Sequence, residues 1–260
     1  MFNWLKIRFF DARKPQVSKR ERLEFDKTPP LIYAIGDVHG CLGLLQRLER
    51  KIFKDIAKQK QQALIIMLGD YVDRGENSSG VLDYLIAKPP KGVERLCLVG
   101  NHEETMLAFI KDPKNNSEWL KFGGKETLIS YGFELCDLKT NEIKKISFLY
   151  RVNSLIPSEH IKFLSKLPIM IKFPNMVFVH AGIRPELSLN NQLDEDLIWI
   201  RDDFINSQIT SENIVVHGHT PADEVYISER RINVDTAAYA GGKLSAVKFV
   251  DGKAVTTITC

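Results

Sequence analysis

Residues 31–40 read Leu-Ile-Tyr-Ala-Ile-Gly-Asp-Val-His-Gly: an apolar run, a glycine, then an acid and an imidazole separated by one residue. The run is too short for a core helix and rich in Ile and Leu, so it predicts a buried strand that delivers Asp37 and His39 at its end. The same pattern recurs along the chain. Ala63–Leu68 precedes GDYVDRG (69–75), Leu96–Val99 precedes GNHE (100–103), Met176–Val179 precedes HAG (180–182), and Ile214–Val216 leads through His217 into GHT (218–220). In sheets of parallel strands joined by helices, polar strand ends gather at the carboxyl edge. These segments, far apart in sequence, are therefore expected to build one site.

Asp37, Asp70 and Asn101 follow one another at about 30 residues, the length of a strand–helix–strand unit. Helical spacing lies between them, in Leu42, Leu45, Leu48, Glu49 and Ile52 and again in Val81, Leu82, Leu85 and Ile86 after the cap signal Asn77-Ser78-Ser79. Asn115–Gly132 is expected to form helices that wall a substrate groove. Gly36, Gly69 and Gly100 are expected to let the chain turn sharply off its strands without obstructing a ligand.

The chain of 260 residues suits one large domain with a sizeable core. No stretch approaches the roughly 20 apolar residues of a membrane span. MFNWLKIRFF (1–10) is interrupted by Lys6 and Arg8 and makes a poor signal peptide, so a cytoplasmic location is expected. Cys41, Cys97, Cys136 and Cys260 show no C-x-x-C spacing, which argues against a zinc knuckle or a secreted disulfide frame. Residues 1–30 carry eight Lys or Arg against four acids, so the whole net charge of +3 arises there. That segment reads as a basic, solvated extension of a catalytic domain spanning 31–260, with weak contact of residues 1–14 with an acidic or membrane surface as the sharper reading. Nothing suggests a nucleic-acid module.

Asp, His and Asn donors without thiolates suit a hard or borderline divalent ion such as Mn²⁺, Fe or Zn²⁺. Asp70, on a central strand, is the natural carboxylate to bridge the Asp37/His39 cluster and the Asn101/His180/His219 cluster. Two ions about 3.5–4 Å apart would share a hydroxide and clamp an in-line displacement at phosphorus. His102 is expected to protonate the leaving oxygen, Asp73 to accept its other N–H, and Arg74 and Arg201 to bind phosphate oxygens through their planar forks. His217 reads as structural, His160 as an exposed polar residue in a first helical turn, and the Lys139–Lys145 run as solvated. Arg184 has two readings, a substrate contact or a loop anchor.

Taken in order, these segments resemble the PPP family of metallophosphatases, and within it the bacterial and phage branch of protein serine/threonine phosphatases. Trp119–Gly124, Leu197–Arg201 and Val234–Ala238 extend the likeness from about Leu31 to near the C-terminus. The resemblance implies an α/β fold of two mixed β-sheets packed as a sandwich and flanked by helices. It also implies a first metal on Asp37, His39 and Asp70, a second on Asp70, Asn101, His180 and His219, Asn101 beside the phosphate, and His102 with Asp73 as the acid pair. The family commonly has Asp-Thr-Gly-Ala where this chain has Asp235-Thr236-Ala237-Ala238, which puts the local turn in question.

The leading functional expectation is hydrolysis of phosphoserine and phosphothreonine monoesters on proteins by a hydroxide bridging two metal ions, with Mn²⁺ the expected metal. The alternative is a symmetrical dinucleoside-tetraphosphate hydrolase with the same dinuclear site. Asp73 favours the first, because the nucleotidase branch often lacks a carboxylate there. Aromatic candidates for base stacking look scattered, comprising Trp119, Phe122, Tyr131 and Tyr239. Phosphopeptides are accordingly expected to be better substrates than diadenosine tetraphosphate.

Overall fold

A computed structural model describes residues 7–9, 20–134, 150–152, 154–207 and 212–260. Trp4, the other apolar residues proposed for surface contact apart from the backbone of 7–9, Cys136 and the Lys139–Lys145 run lie outside the described residues.

Two mixed sheets face each other, as expected. The five-stranded sheet has the order β12-β11-β3-β4-β5. In it β3 (Leu31–Ile35), β4 (Ala63–Met67) and β5 (Val93–Cys97) run parallel, and β11 (Ser245–Val250) and β12 (Lys253–Thr259) are added antiparallel. The seven-stranded sheet has the order β1-β2-β6-β7-β8-β10-β9. Its strands are β1 (Ile7–Phe9), β2 (Arg22–Phe25), β6 (Met170–Phe173), β7 (Met176–Val179), β8 (Ile214–His217), β9 (Tyr226–Ile227) and β10 (Arg231–Asn233). β7 and β8 are parallel, so His180 and the Gly218-His219 turn leave the same edge.

Period-two alternation divides the core. Ile32, Ala34, Leu64 and Ile66 pack with Phe173, Phe178, Val216 and Phe249 between the sheets. Leu31, Tyr33, Ile35, Ile65 and Met67 join the layer that includes the helices. Helix α1 (Leu42–Gln59) buries Leu45, Leu48, Glu49, Ile52 and Ile56. Helix α2 (Ser78–Ile86) starts where Asn77 Oδ1 accepts from Gly80 N at 2.9 Å, the predicted cap. Helix α3 (Asn101–Lys111) begins at the third motif, and a 3-10 helix (Ser117–Phe122) with α4 (Gly124–Ser130) occupies the region predicted as helical. Among the described residues no helix is long and apolar enough to cross a membrane.

Two expectations are corrected. His160, in the first turn of α5 (Ser158–Ser165), is buried, because Tyr131 Oη and Asp83 Oδ1 lie 2.7 and 3.0 Å from its two ring nitrogens. The inner face of α5 packs on α2, which a polar Pro-Ser-Glu context does not reveal. The second concerns residues 20–30, assigned by sequence to a solvated extension. β2 pairs in parallel with β6, Leu23 and Phe25 are buried, and Phe25 stacks on Phe173 with ring centroids 5.1 Å apart. Burying two such side chains is worth about 3–6 kcal/mol. Deletion of residues 1–28 is therefore expected to lower the melting temperature by about 10–20 °C rather than leave the protein intact. Thermal unfolding checks this, and an unchanged transition would show that β2 contributes little.

Candidate metal centre

The strand ends converge, and the convergence is centred on Asp70. Its Oδ2 lies 3.4 Å from His39 Nε2 and 3.9 Å from His102 Nε2, and its Oδ1 lies 3.3 Å from His180 Nε2. Two overlapping groups, His39/Asp70/His102 and Asp70/His180/His219, each bring one ligand atom per residue within 4.8 Å of the others. Asp37 faces His219 from below, accepting its backbone N–H at 3.1–3.2 Å. Asn101 Oδ1 lies 2.9 Å from His180 Nε2. All six residues expected to ligate metal are thus buried at one edge of the sandwich.

Backbone carbonyls orient the imidazoles. His39 Nδ1 donates to Val72 O and His180 Nδ1 to Leu68 O, both at 2.8 Å, so each Nε2 is aimed at Asp70. The loops that make this possible are strained. His39, Asp70, Asp73, Arg74 and His219 all have positive φ, between 43° and 72°. Each left-handed residue costs about 1–2 kcal/mol, and surrounding contacts must hold it. Glu103 is the main clamp on Asp70. Its carboxylate accepts N–H groups from Asp70 at 2.9 Å, Tyr71 at 2.7 Å and Gly100 at 2.8 Å. Gly69 turns at φ +105°, and a Cβ on Gly100 would overlap Asp70 Oδ1. Gly36 is required for a different reason than expected, since a Cβ there would overlap the carbonyl of Val234.

His102 and Asp73, expected from sequence to pair, lie in hydrogen-bond contact. His102 Nδ1 lies 2.6 Å from Asp73 Oδ2, and Asp73 also accepts from Trp119 Nε1 and from Thr127 Oγ1, both at 2.7 Å. Arg74 Nη2 lies 3.2 Å from His102 Nε2, and Arg201 Nε lies 3.1 Å from His219 Nε2. Tyr239 supports Arg74, whose guanidinium carbon sits 4.3 Å from the ring centroid. Arg184 is resolved as an anchor: its fork bonds Asp196 at 2.6 and 3.0 Å and Asp203 at 3.3 Å. His217 packs under the site against Phe204, its Nδ1 2.9 Å from Gly218 O. The turn in question is adopted by Ala237 itself at φ 55°, a conformation that explains the more common glycine.

The electrostatics describe a cluster suited to cations. Burial drives Asp37 well above the usual carboxylate range, with Asp235 and Asp70 adding to the effect. Burial and the charge on Asp70 push Glu103 up to about 7. Burial opposes the charged form of His180, yet Asp70 outweighs it and raises that imidazole to about 10. Burial lowers His39 to about 3 and His219 to about 2, leaving neutral rings. The neutral rings of His39 and His219 and the buried, mutually repelling carboxylates are what divalent ions ligate and neutralise, and a cation beside Asp70 would displace the proton that Asp70 draws onto His180, so the residues fit a metal pair. Asp235 and Glu103 were not singled out as site residues from sequence; the only signal was their position inside the resembling segments.

Residues 30–255 match the calcineurin-like phosphoesterase family. The chain belongs to that family. It is therefore a phosphoester-hydrolysing enzyme of the metallophosphoesterase fold, and the Asp/His clusters around Asp70 suit the family's dinuclear site. A bis(5'-nucleosyl)-tetraphosphatase PrpE [asymmetrical] of Oceanobacillus iheyensis is 29% identical over 235 residues, which are 83% of this chain and 87% of the relative. The protein of the same name from Bacillus subtilis is 23% identical over 240 residues, 83% of this chain and 89% of the relative. Among solved structures, a candidate diadenosine tetraphosphatase shares the fold with a TM-score of 0.62 at 21% identity, covering 91% of this chain and 96% of its own. A cold-active protein-tyrosine phosphatase of a psychrophilic Shewanella gives 0.52 at 20% identity, covering 90% and 81%.

These relatives correct the expectation of a phosphoserine/phosphothreonine phosphatase. Relatives that match more than four-fifths of this chain carry a dinucleoside-tetraphosphatase name. Asp73 was a poor discriminator for a physical reason. It is buried, and its contacts are spent on His102, Trp119 and Thr127, so it faces its own neighbours and says nothing about the substrate.

Proposed function

We propose that this protein hydrolyses bis(5'-nucleosyl) tetraphosphates, with the asymmetrical outcome in its relatives' name rather than the symmetrical one considered from sequence. The observation that carries the reading is the similarity to those tetraphosphatases along more than four-fifths of the chain. The site's chemistry agrees with it. Asp37, His39, Asp70, Asn101, His180 and His219 would hold two divalent ions, which supply charge to polarise the phosphoryl oxygens and lower the pKa of a water.

The chain's own groups would do the rest. Arg74 and Arg201 flank the cluster and would each grip phosphate oxygens. When phosphate draws the Arg74 guanidinium away from His102, Nε2 is released toward the leaving oxygen. His102 is set up to give that proton: burial lowers its pKa, but the charges of Asp70 and Asp73 outweigh burial and raise it. Asp73 holds the ring by Nδ1, and Trp119 and Thr127 hold Asp73.

Diadenosine tetraphosphate incubated with the enzyme and Mn²⁺ should give ATP and AMP, at a kcat/KM at least ten times that for p-nitrophenyl phosphate. Two molecules of ADP would establish symmetrical cleavage instead. No preference over p-nitrophenyl phosphate would reject the dinucleotide reading.

A further inference from the structure

We infer that Trp199 and the groove beside it receive one nucleoside end of the substrate, with the base lying on the indole. The inference rests on the dinucleotide reading above. Trp199 ends helix α6 (Asp194–Trp199), is 46% exposed despite its size, and lies with its ring edge-on to His219 at 6.1 Å. An exposed indole touching a ligand of the metal cluster has no packing explanation. Two residues on, Arg201 carries a guanidinium at the same histidine. A phosphate held by Arg201 would therefore place its nucleoside within reach of the indole.

The groove itself has a volume of about 1120 Å³ and runs between α3, α5 and α6, with Trp199 in its wall. The same indole lines the smaller depression that contains Arg201, so it stands between the groove and the phosphate-binding side. Leu107, Leu193 and Ile198 add apolar wall. The charged lining is acidic, with Glu21, Glu104, Asp194 and Glu195 against Arg20 and Lys166. Arg20 is already engaged by Glu104 and by the carbonyls of Leu164 and Leu167 at 3.0 and 2.9 Å. A net negative groove repels further phosphates. It accepts an uncharged aromatic ring whose exocyclic amine can donate to carboxylates, which describes adenine. Of the other aromatics weighed from sequence, Trp119 and Tyr131 are buried, Tyr239 is packed on Arg74, and Phe122, though 56% exposed, lines neither the groove nor the depression that contains Arg201.

The test is the ratio of kcat/KM for diadenosine tetraphosphate to that for p-nitrophenyl phosphate, which lacks a nucleobase. Base–aromatic stacking of about 1–3 kcal/mol corresponds to a fall of about 5- to 150-fold in that ratio for Trp199→Ala, expressed mainly in KM for the dinucleotide. Trp199→Phe, which keeps a flat ring, should recover most of it. If Trp199→Ala disturbs His219 instead, both substrates slow together and the ratio holds, which overturns the inference. An unchanged ratio with unchanged rates overturns it as well. Failure of the underlying reading looks different, because the wild-type enzyme would then show no preference for the dinucleotide.

Discussion

Asp70→Asn is expected to lower turnover by about 10³-fold or more and to abolish tight binding of a second metal ion. The reason is positional. Asp70 alone belongs to both candidate ligand groups, and its two oxygens face His39 and His102 on one side and His180 on the other. Burial opposes its ionisation, but the imidazoles outweigh burial and hold its carboxyl well below the usual range, so it is charged at neutral pH. An amide is nearly isosteric and keeps the acceptor for His102 N, so the fold should survive. His217→Ala, which alters packing beneath the cluster, should cost much less. Metal content and turnover of both variants are the measurements; an active Asp70→Asn enzyme carrying two ions would reject the bridging assignment.

His102→Asn should slow an alkyl phosphate by about 10²–10⁴-fold while leaving metal content near normal. An alkoxide is a poor leaving group and needs the proton. Nitrophenolate leaves without it, so p-nitrophenyl phosphate should lose far less. Equal losses on both substrates, with metals retained, would give His102 another task. Asp73→Asn supplies an independent readout through pH. The Asp73 carboxylate favours protonated His102, so its removal lowers the imidazole pKa. The protonated acid then disappears at lower pH, and the basic limb of the alkyl-phosphate profile should move to lower pH. A profile that stays in place would remove Asp73 from that role.

Strands and motifs were legible to different degrees. Leu31–Ile35 and Met176–Val179 are strands at the boundaries expected, because a run of buried apolar residues closed by glycine or histidine has no helical competitor. β5 was misplaced, expected at Leu96–Val99 and found at Val93–Cys97. Glu94 and Arg95 disguise it, and Arg95 is tolerated in the strand because Glu49 receives its guanidinium at 2.7 Å. β2 was hidden in the same way. Arg22 and Glu24 look solvated, but Asp194 binds the first at 2.7 Å and Lys172 the second at 2.6 Å. Those partners lie more than 140 residues away, beyond any local pattern.

By itself the sequence determined which donors this protein possesses and that they sit at strand ends. An Asp/His site follows from that, since strand periodicity and donor chemistry are local properties; the sandwich was what the family resemblance implied. Tertiary structure alone decided how the site is held and what surrounds it. The left-handed turns at His39, Asp70, Asp73, Arg74 and His219, the Glu103 clamp, the anchoring of Arg184 and the exposure of Trp199 beside His219 are of this kind. Each arises from contacts between segments that meet only when the two sheets pack. A side chain's burial, strain and charge state depend on those neighbours rather than on its own place in the chain.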